Sequence, residues 1–186
     1  GGHAINLNAN EIGKLGERES ISDLARNLCR WVQIIQARVF SHEQLLELAK
    51  WATVPVVNGL SDVEHPTQVM ADYLTIEEQL GRTTDFHLAW VGDSNNVSHS
   101  LMMMAAHFEN RMTLAIPEGY DPKEPIWAEA EKVNPNVREL VKVVRDPKEA
   151  VKEADVLYTD TWTSMGQEAE KQERRRFNFV DEKDPL

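Results

Sequence analysis

The sequence predicts an α/β fold made of two doubly wound, parallel-sheet lobes. Short runs rich in β-branched residues alternate with amphipathic stretches, which is typical of repeated strand–helix units with right-handed crossovers. Residues 86–91 form a near-continuous apolar run, as expected for a parallel strand covered on both faces. A polar segment at residues 81–85 interrupts the pattern. We therefore expect one lobe over residues 1–80 and another over residues 84–186, each incomplete in this chain.

The helices are predicted from start signals followed by apolar residues three or four apart. Ser20 and Ser41 each begin a capping-box pattern, and Pro66 suits the first position of a third helix. Three later helices are expected at residues 97–108, at 126–133 and from Asp146-Pro147. The apolar positions of the first three helices are Ile21, Leu24, Ala25, Leu28 and Trp31, then Leu45, Leu48, Ala49 and Ala52, then Val69, Met70, Tyr73 and Leu74.

The strands are predicted from short apolar runs bounded by turn residues. Residues 54–57 form the second of these runs, and the Asn-Gly pair after it predicts a turn over residues 58–62. The full set of predicted strands is 32–40, 54–57, 86–91, 111–116, 140–144 and 156–159.

Composition excludes several classes of protein. The 186 residues carry a formal net charge of −11 and no basic cluster on a periodic face, so a nucleic-acid partner is not expected. No apolar run approaches the length of a membrane span. The single cysteine, Cys29, excludes a disulfide framework and a cysteine-based zinc site, and is expected to be a buried structural thiol. A reducing compartment follows: the cytoplasm, or an organelle matrix if a targeting segment was removed.

Ligands of doubly wound sheets bind beyond the carboxyl ends of the strands, so the loops after strands carry the candidate sites. The loop after Val57 leads to His65, which precedes a helix beginning at Pro66. The positive end of that helix disfavours a second proton on the imidazole, and a neutral imidazole N–H can polarise a carbonyl. Gln68, one turn later, can add an amide at the same point. From spacing alone, a histidine that caps its own helix is the simpler interpretation.

Two further loops, residues 92–96 and 160–166, follow predicted strands and suggest an amino-acid site. Asn96 offers an amide near a helix N-terminus, suited to a carboxylate, and Asp160 offers a counter-charge for an ammonium group. Ser164 and the backbone N–H of Met165 can complete the clamp. Taken singly, Asn96 is more simply a helix cap and Asp160 a loop residue.

Two rival functions receive little support. The loop at Gly92 follows a strand and precedes a helix, but the dinucleotide fingerprint needs two more glycines, and none follows here. His99 and His107 share a helix, but they are eight residues apart and no carboxylate completes a ligand set. We expect neither a metal nor a cofactor.

Together, these loops and their flanking blocks resemble the ornithine carbamoyltransferases. The match runs from Gly1 to about Arg176, and the Ser-Met-Gly loop at residues 164–166 distinguishes this branch from aspartate and putrescine carbamoyltransferases. The blocks follow the order of the family and comprise residues 1–5, 23–26, 37–42, 56–62, 65–68, 90–100, 117–120 and 160–166.

The resemblance implies a carbamoyl-phosphate domain and an ornithine domain, usually in homotrimers. It implies transfer of a carbamoyl group from carbamoyl phosphate to the side-chain amine of ornithine, without metal or cofactor. The residues that it places on the carbamoyl moiety are Arg38, His65 and Gln68. Those that it places on the α-amino and carboxylate groups of ornithine are Asn96, Asp160, Ser164 and the backbone of Met165.

The sequence departs from the family pattern at both ends. The family binds phosphate with a Ser-x-Arg-Thr-Arg loop ahead of the position of Gly1, and uses a His-Cys-Leu-Pro loop after the ornithine lobe; neither occurs here. We therefore expect an internal fragment. The alternative function is a non-catalytic amino-acid-binding or subunit-assembly module that keeps the clamp and lacks the phosphate loop.

Overall fold

The computed structural model describes residues 2–8, 13 and 15–161. The chain forms two compact units, residues 1–68 and residues 69–186. The elements of the first unit are α1 (Ile21–Leu28), β1 (Ile35–Arg38), α2 (His42–Trp51) and β2 (Val56–Leu60). Helix α3 (Pro66–Leu80) begins in the first unit and continues into the second.

The first unit is built around a strand–helix–strand crossover. β1 and β2 pair in parallel, with Ile35 opposite Val56 and Arg38 opposite Leu60. Parallel neighbours need a crossover connection, and α2 lies between the two strands in the chain. The small core is formed by Ile21, Ala25, Ile35 and Leu48.

The predicted boundary of the second strand is wrong. β2 runs from Val56 to Leu60, so most of the turn predicted at residues 58–62 is strand. The reason lies at Gly59, where a Cβ atom would stand only 3.2 Å from the backbone oxygen of Ala37. Glycine lets the two strands approach closely at the point where their register shifts, just after Ala37. The Asn-Gly pair therefore serves strand pairing.

The two capping boxes have different outcomes. At Ser20 the side-chain oxygen accepts a hydrogen bond from the backbone N–H of Asp23 at 3.1 Å, which confirms the predicted start of α1. α2 also begins where predicted, but Ser41 makes no side-chain capping hydrogen bond. The predicted box at Ser41 is therefore wrong, although the helix is present.

Several residues predicted on apolar helix faces are exposed. α1 ends at Leu28, so Trp31 lies beyond the helix and is 73% exposed. In α3, Val69 and Tyr73 are buried, and residues one position later on the helix point away from that buried stripe. The exposed residues that were predicted on apolar faces are Trp31, Ala49, Met70 and Leu74.

In the described part of the second unit, residues 69–161, four parallel strands form one sheet with helices between successive strands. Its strand order is β5-β4-β3-β6. Its elements after α3 are β3 (His87–Val91), α4 (Asn96–Phe108), β4 (Arg111–Ala115), α5 (Glu124–Val133), α6 (Val137–Leu140), β5 (Val141–Val144), α7 (Pro147–Ala150) and β6 (Val156–Thr159). The predicted α/β class, with parallel sheets and alternating helices, is confirmed.

Both faces of this sheet are covered. Alternate residues of a strand point to opposite faces, so Leu88 and Trp90 join one cluster and Ala89 joins another. The larger cluster includes buried residues of α3, α4 and α5, and the smaller contains Ala115 and Ala150. Four of the five residues of β3 are buried, as its apolar run predicts. Among the residues described, no helix is both long and apolar enough to cross a membrane.

Candidate functional site

The strand order of the second unit identifies one place for a ligand. The chain moves from β3 to β4 and β5 on one side, then returns to place β6 on the other side of β3. The carboxyl ends of β3 and β6 therefore flank the topological switch point, where doubly wound sheets bind ligands. The loop at residues 92–95 follows β3, and Asp160 follows β6.

Asn95 connects the two loops at this switch point. Its side-chain oxygen accepts hydrogen bonds from the backbone N–H groups of Val97 (3.0 Å) and Ser98 (3.1 Å). Its side-chain nitrogen donates to a carboxylate oxygen of Asp160 at 3.0 Å. Asn95 is only 8% exposed, so these bonds are shielded from water. One side chain thus caps α4 and holds the acidic residue of the neighbouring loop.

Asp160 is partly exposed and held at both oxygens. The oxygen not bonded to Asn95 accepts the backbone N–H of Thr161 at 2.6 Å. Just before it in β6, the hydroxyl of Tyr158 donates to the carboxylate of Asp72 in α3 at 2.8 Å, and its ring stacks on Trp90 with centroids 5.4 Å apart. Asp160 therefore follows a strand end that is held by a hydrogen bond to Asp72 and by ring stacking on Trp90.

The loop after β3 is fixed by contacts of its own. The indole N–H of Trp90 donates to the backbone oxygen of Asp93, and the backbone N–H of Ser94 donates to the backbone oxygen of Tyr120. The hydroxyl of Ser94 lies 2.9 Å from Nε2 of His99. The loop that presents Asn95 and Asn96 is therefore held by β3, by the loop after β4 and by its own helix.

In the first unit, Arg38 lies at the carboxyl end of β1 and its side chain is exposed. β2 ends beside it, and Ser61 then forms the centre of the following turn. Ser61 is fully buried; its oxygen accepts the backbone N–H of Glu64 at 3.1 Å and lies 2.9 Å from Nδ1 of His42. This turn leads directly into His65.

His65 is partly exposed and immediately precedes α3, as the sequence predicts. Its Nδ1 atom lies 3.5 Å from the hydroxyl of Thr67, which donates to the backbone oxygen of Gly59. The backbone N–H of Gln68 donates to the backbone oxygen of His65 at 3.1 Å, and the Gln68 side chain is exposed. The histidine and the amide therefore occupy one turn at the N-terminus of a fifteen-residue helix.

The structure corrects one assignment at the switch point. The cap of α4 is Asn95, and Asn96 is the first helical residue, partly exposed. The missed signal was the capping box formed by Asn95 and Ser98, whose hydroxyl accepts the backbone N–H of Asn95 at 2.9 Å. Ser164 and Met165 lie outside the described residues.

Cys29 differs from its predicted role as a buried thiol, because it is partly exposed. Desolvation raises the pKa of a thiol, but hydrogen bonds from Thr53 and Val54 and the charge of Arg30 outweigh it and hold the pKa of Cys29 below its ordinary value. Within residues 2–8, 13 and 15–161, no three His, Cys, Asp or Glu side chains are grouped to hold a metal ion.

Two family models match the chain in succession. Residues 1–78 match the carbamoyl-phosphate-binding domain of aspartate/ornithine carbamoyltransferases. Residues 84–180 match the aspartate/ornithine-binding domain of the same family. The candidate residues Arg38, His65 and Gln68 fall in the first match, and Asn96 and Asp160 fall in the second.

Curated relatives and solved structures agree with these models. The ornithine carbamoyltransferase of Archaeoglobus fulgidus is 52% identical over 174 residues, which are 94% of this chain and 55% of the relative. The anabolic enzyme of Pyrococcus furiosus is 48% identical over 95% of this chain and 56% of the relative. This chain thus spans just over half the length of these relatives.

The fold of this chain also agrees with those of solved structures. The ornithine carbamoyltransferase structure from Pyrococcus furiosus superposes with a TM-score of 0.85, at 47% identity, over 94% of this chain and 56% of that one. The anabolic enzyme structure from Campylobacter jejuni gives a TM-score of 0.81 at 35% identity, over 91% of this chain and 57% of that one. By sequence and by fold, this chain belongs to the aspartate/ornithine carbamoyltransferase family.

Proposed function

We propose that the complete gene product transfers the carbamoyl group of carbamoyl phosphate to the side-chain amine of ornithine, giving citrulline and phosphate. The observation that carries this proposal is the Asn95–Asp160 pair at the switch point of a parallel sheet. A carboxylate held there suits the ammonium group of an amino acid. The order of the two family models, carbamoyl phosphate first and amino acid second, supports the same reaction.

The chemistry is an acyl transfer. The neutral side-chain amine attacks the carbonyl carbon, a C–N bond forms, and the carbonyl oxygen carries the developing negative charge of a tetrahedral intermediate. The C–O bond to phosphate then breaks, phosphate leaves with the electron pair, and the proton lost by the amine nitrogen ends on the released phosphate. Donors aimed at the carbonyl oxygen and fixed positions for both reactants supply the catalysis.

The first unit supplies the carbamoyl-phosphate residues in this proposal. Arg38 gives a guanidinium that can make paired, charge-assisted hydrogen bonds to the ligand. His65, which immediately precedes α3, acts as a neutral imidazole donor to the carbonyl oxygen. Gln68 adds its side-chain amide one turn further along the helix.

The second unit supplies the ornithine residues. Asp160 pairs with the α-ammonium group, and Asn96 offers its amide to the carboxylate at the N-terminus of α4. Ser164 and the backbone N–H of Met165 complete the set, as the family resemblance implies. Ornithine would then be held by its amino-acid end, leaving the side-chain amine to react.

The assembly and location of the complete protein also belong to this proposal. We place the boundary between the two ligand-binding regions in the polar segment 81–85, since the family models end at residue 78 and resume at residue 84. A homotrimer is expected, and light scattering would measure it. The cytoplasm is the expected compartment, although a relative from Pisum sativum is named chloroplastic; cell fractionation would distinguish the two.

The direct test is citrulline formation from carbamoyl phosphate and ornithine by the complete gene product. Ornithine should be used in strong preference to aspartate and to N-acetylornithine. Binding of L-norvaline, which has the amino-acid end of ornithine and no side-chain amine, without any citrulline would favour the alternative, an amino-acid-binding or subunit-assembly module. If the protein showed no turnover and no norvaline binding, both functions would be excluded.

Asp160→Asn tests the role of the carboxylate. Removing the charge should weaken norvaline binding by about 1.5–3 kcal/mol, the range for a hydrogen bond to a charged group, and should leave carbamoyl phosphate binding intact. Isothermal titration measures both. Asp155→Asn is the matched control, because Asp155 stands at the opposite end of the same strand, paired with Arg82. Equal norvaline affinity in wild type and Asp160→Asn would refute the assignment.

A further inference from the structure

We propose that Asn95 is a positioning residue for the amino-acid substrate, acting by fixing the orientation of Asp160. The inference rests on the proposed function and adds a residue to it. Asn95 does not need to touch the substrate for this role. Its effect passes through one hydrogen bond, from its side-chain nitrogen to Asp160.

The orientation of the Asn95 amide is determined by its partners. One end faces two backbone N–H groups, those of Val97 and Ser98, at 3.0 and 3.1 Å, and only the oxygen can accept from both. The nitrogen must therefore be the atom that faces Asp160. An amide turned the other way would oppose donor to donor at the helix and acceptor to acceptor at the carboxylate.

The backbone of Asn95 is fixed as well. Its N–H donates to the hydroxyl of Ser98 at 2.9 Å, which closes the capping box. The residue is 8% exposed and Ser98 is fully buried. An amide pinned at its oxygen and its backbone has no freedom to follow a moving carboxylate, so the position of Asn95 sets the position of Asp160.

A second contact within the described residues completes the orientation of Asp160. Its second oxygen accepts the N–H of Thr161 at 2.6 Å, so the plane of the carboxylate is defined by donors on both oxygens. Each carboxylate oxygen has two lone-pair positions, and among residues 2–8, 13 and 15–161 the donors from Asn95 and Thr161 use one on each. The other positions can receive a substrate ammonium in a fixed direction.

The chemistry of asparagine suits this double task. A helix cap needs a hydrogen-bond acceptor, and the contact with Asp160 needs a donor. The planar amide carries both, its oxygen and its nitrogen, on the same carbon atom. Serine and threonine cap helices comparably, but their single hydroxyl is too short to reach Asp160 as well. This difference allows the structural role and the positioning role to be separated by substitution.

Asn95→Ser is the decisive variant in the complete gene product, and L-norvaline is the probe. Serine keeps the cap, so thermal stability should stay near wild type. Norvaline affinity and the KM for ornithine should each worsen about 10-fold, since the hydrogen bond that orients a charged group is lost. The KM for carbamoyl phosphate and kcat at saturating substrates should change less than about 3-fold. Asn95→Thr serves in its place if the serine variant is poorly folded.

Ser98→Ala is the matched control. It removes one of the contacts that fix Asn95 but leaves the Asn95–Asp160 bond in place, so it should lower thermal stability and weaken norvaline binding much less than Asn95→Ser does. If Ser98→Ala and Asn95→Ser weakened norvaline equally, the effect would be general damage to the helix start, and the proposal would be overturned.

A double-mutant cycle tests whether Asn95 acts through Asp160. In an Asp160→Asn background, Asn95→Ser should have almost no further effect on norvaline affinity, because the residue it orients has already lost its charge. Full additivity of the two losses would overturn the proposal. Absence of norvaline binding by the wild-type protein would instead refute the proposed function, so the two failures are distinguishable.

Discussion

Burial strongly affects the ionisation of one side chain, that of Tyr73. Its ring is 4% exposed and lies between Phe86 and Phe108, with centroid distances of 5.6 and 5.3 Å. Burial raises the pKa of Tyr73 to about 12, because the charged phenolate is poorly solvated there, and a hydrogen bond from Asn110 opposes the shift only in part. The folded protein therefore keeps this proton at pH values where the unfolded chain has lost it.

This difference predicts an alkaline loss of stability. Below pH 10, both states of Tyr73 are protonated and its contribution to stability is fully present; as pH rises from about 10 to about 12, only the unfolded state releases the proton, so the free energy of unfolding falls. The loss should be about 1.4 kcal/mol by pH 11. Urea unfolding at pH 9 and pH 11 measures it. Between these two pH values, the free energy of unfolding of Tyr73→Phe should fall less than that of the wild type by this amount. An equal fall in both proteins would contradict the prediction.

His65 carries the residue-scale prediction for catalysis. As a donor to the carbonyl oxygen, it interacts most strongly where negative charge develops, so its loss should affect kcat more than binding. His65→Ala in the complete gene product should lower kcat by about 10²–10³-fold, with little change in norvaline affinity. Citrulline assays at saturating substrate measure it. A variant with near-normal kcat would leave the histidine as a helix cap alone.

At this scale, the sequence indicates which kinds of residue lie at the site better than it indicates which of their atoms make the contacts. The Asn-Asn pair at the start of α4 is an evident polar pair, and spacing alone suggests Asn96 as the helix cap, but the cap is Asn95. The tie to Asp160 spans 65 positions in the chain, so no local pattern encodes it. It follows from the strand order, which places β6 beside β3.

Among the elements, the starts of α1 and α2 show why one signature succeeds and a similar one fails. At α1 the cap is local, from Ser20. At α2 a distant carboxylate replaces it: Asp62 accepts the backbone N–H of His42 at 2.9 Å. Gln44, which a capping box would turn back to the helix start, instead donates to the backbone oxygen of Leu15 at 3.1 Å. The hydrogen bond at the start of α2 therefore comes from a residue distant in sequence, whereas the local pattern predicts it from Ser41.

This contrast predicts unequal effects of one substitution. Ser20→Ala should lower the free energy of unfolding by about 1 kcal/mol, because it removes a side-chain cap. Ser41→Ala should change it by less than about 0.5 kcal/mol, since no capping bond is lost. Chemical denaturation of both variants under identical conditions measures the pair. An equal loss from the two would mean that Ser41 contributes a cap in solution.

Most elements were predictable because their hydrophobic periodicity agrees with their final burial. The apolar run of β3 is an example, because four of its five residues are buried. Boundaries were less predictable where pairing outweighed local preference. β2 continues through the Asn-Gly pair because β1 lies against it, and the close approach at Gly59 is a property of two strands together.

Over the whole chain, the two family models correspond to two binding tasks in the proposed function. Residues 1–78 match a carbamoyl-phosphate-binding model and residues 84–180 an aspartate/ornithine-binding model. The chain is strongly acidic, with a formal net charge of −11, so its overall field does not attract a phosphate dianion. In the proposed function, affinity for carbamoyl phosphate would then come from local cations and directed hydrogen bonds, and Arg38 is the cation that the family resemblance selects.

Arg38→Gln should therefore separate the two tasks. The loss of charge-assisted hydrogen bonds should weaken carbamoyl phosphate binding by about 1.5–3 kcal/mol, while norvaline affinity at saturating carbamoyl phosphate stays unchanged. This pattern is the reverse of that expected for Asp160→Asn, and titration calorimetry on the complete gene product measures both ligands.

Arg26→Gln is the control for charge alone. Arg26 lies on α1 in the same unit, exposed and paired with Asp23, so its substitution changes the net charge by the same one unit, away from the strand ends. If carbamoyl phosphate binding weakened equally in Arg26→Gln and Arg38→Gln, the general field of the protein would be responsible. A selective loss at Arg38 would mean that a fixed guanidinium at the end of β1 holds the ligand, because at equal net charge only its position differs.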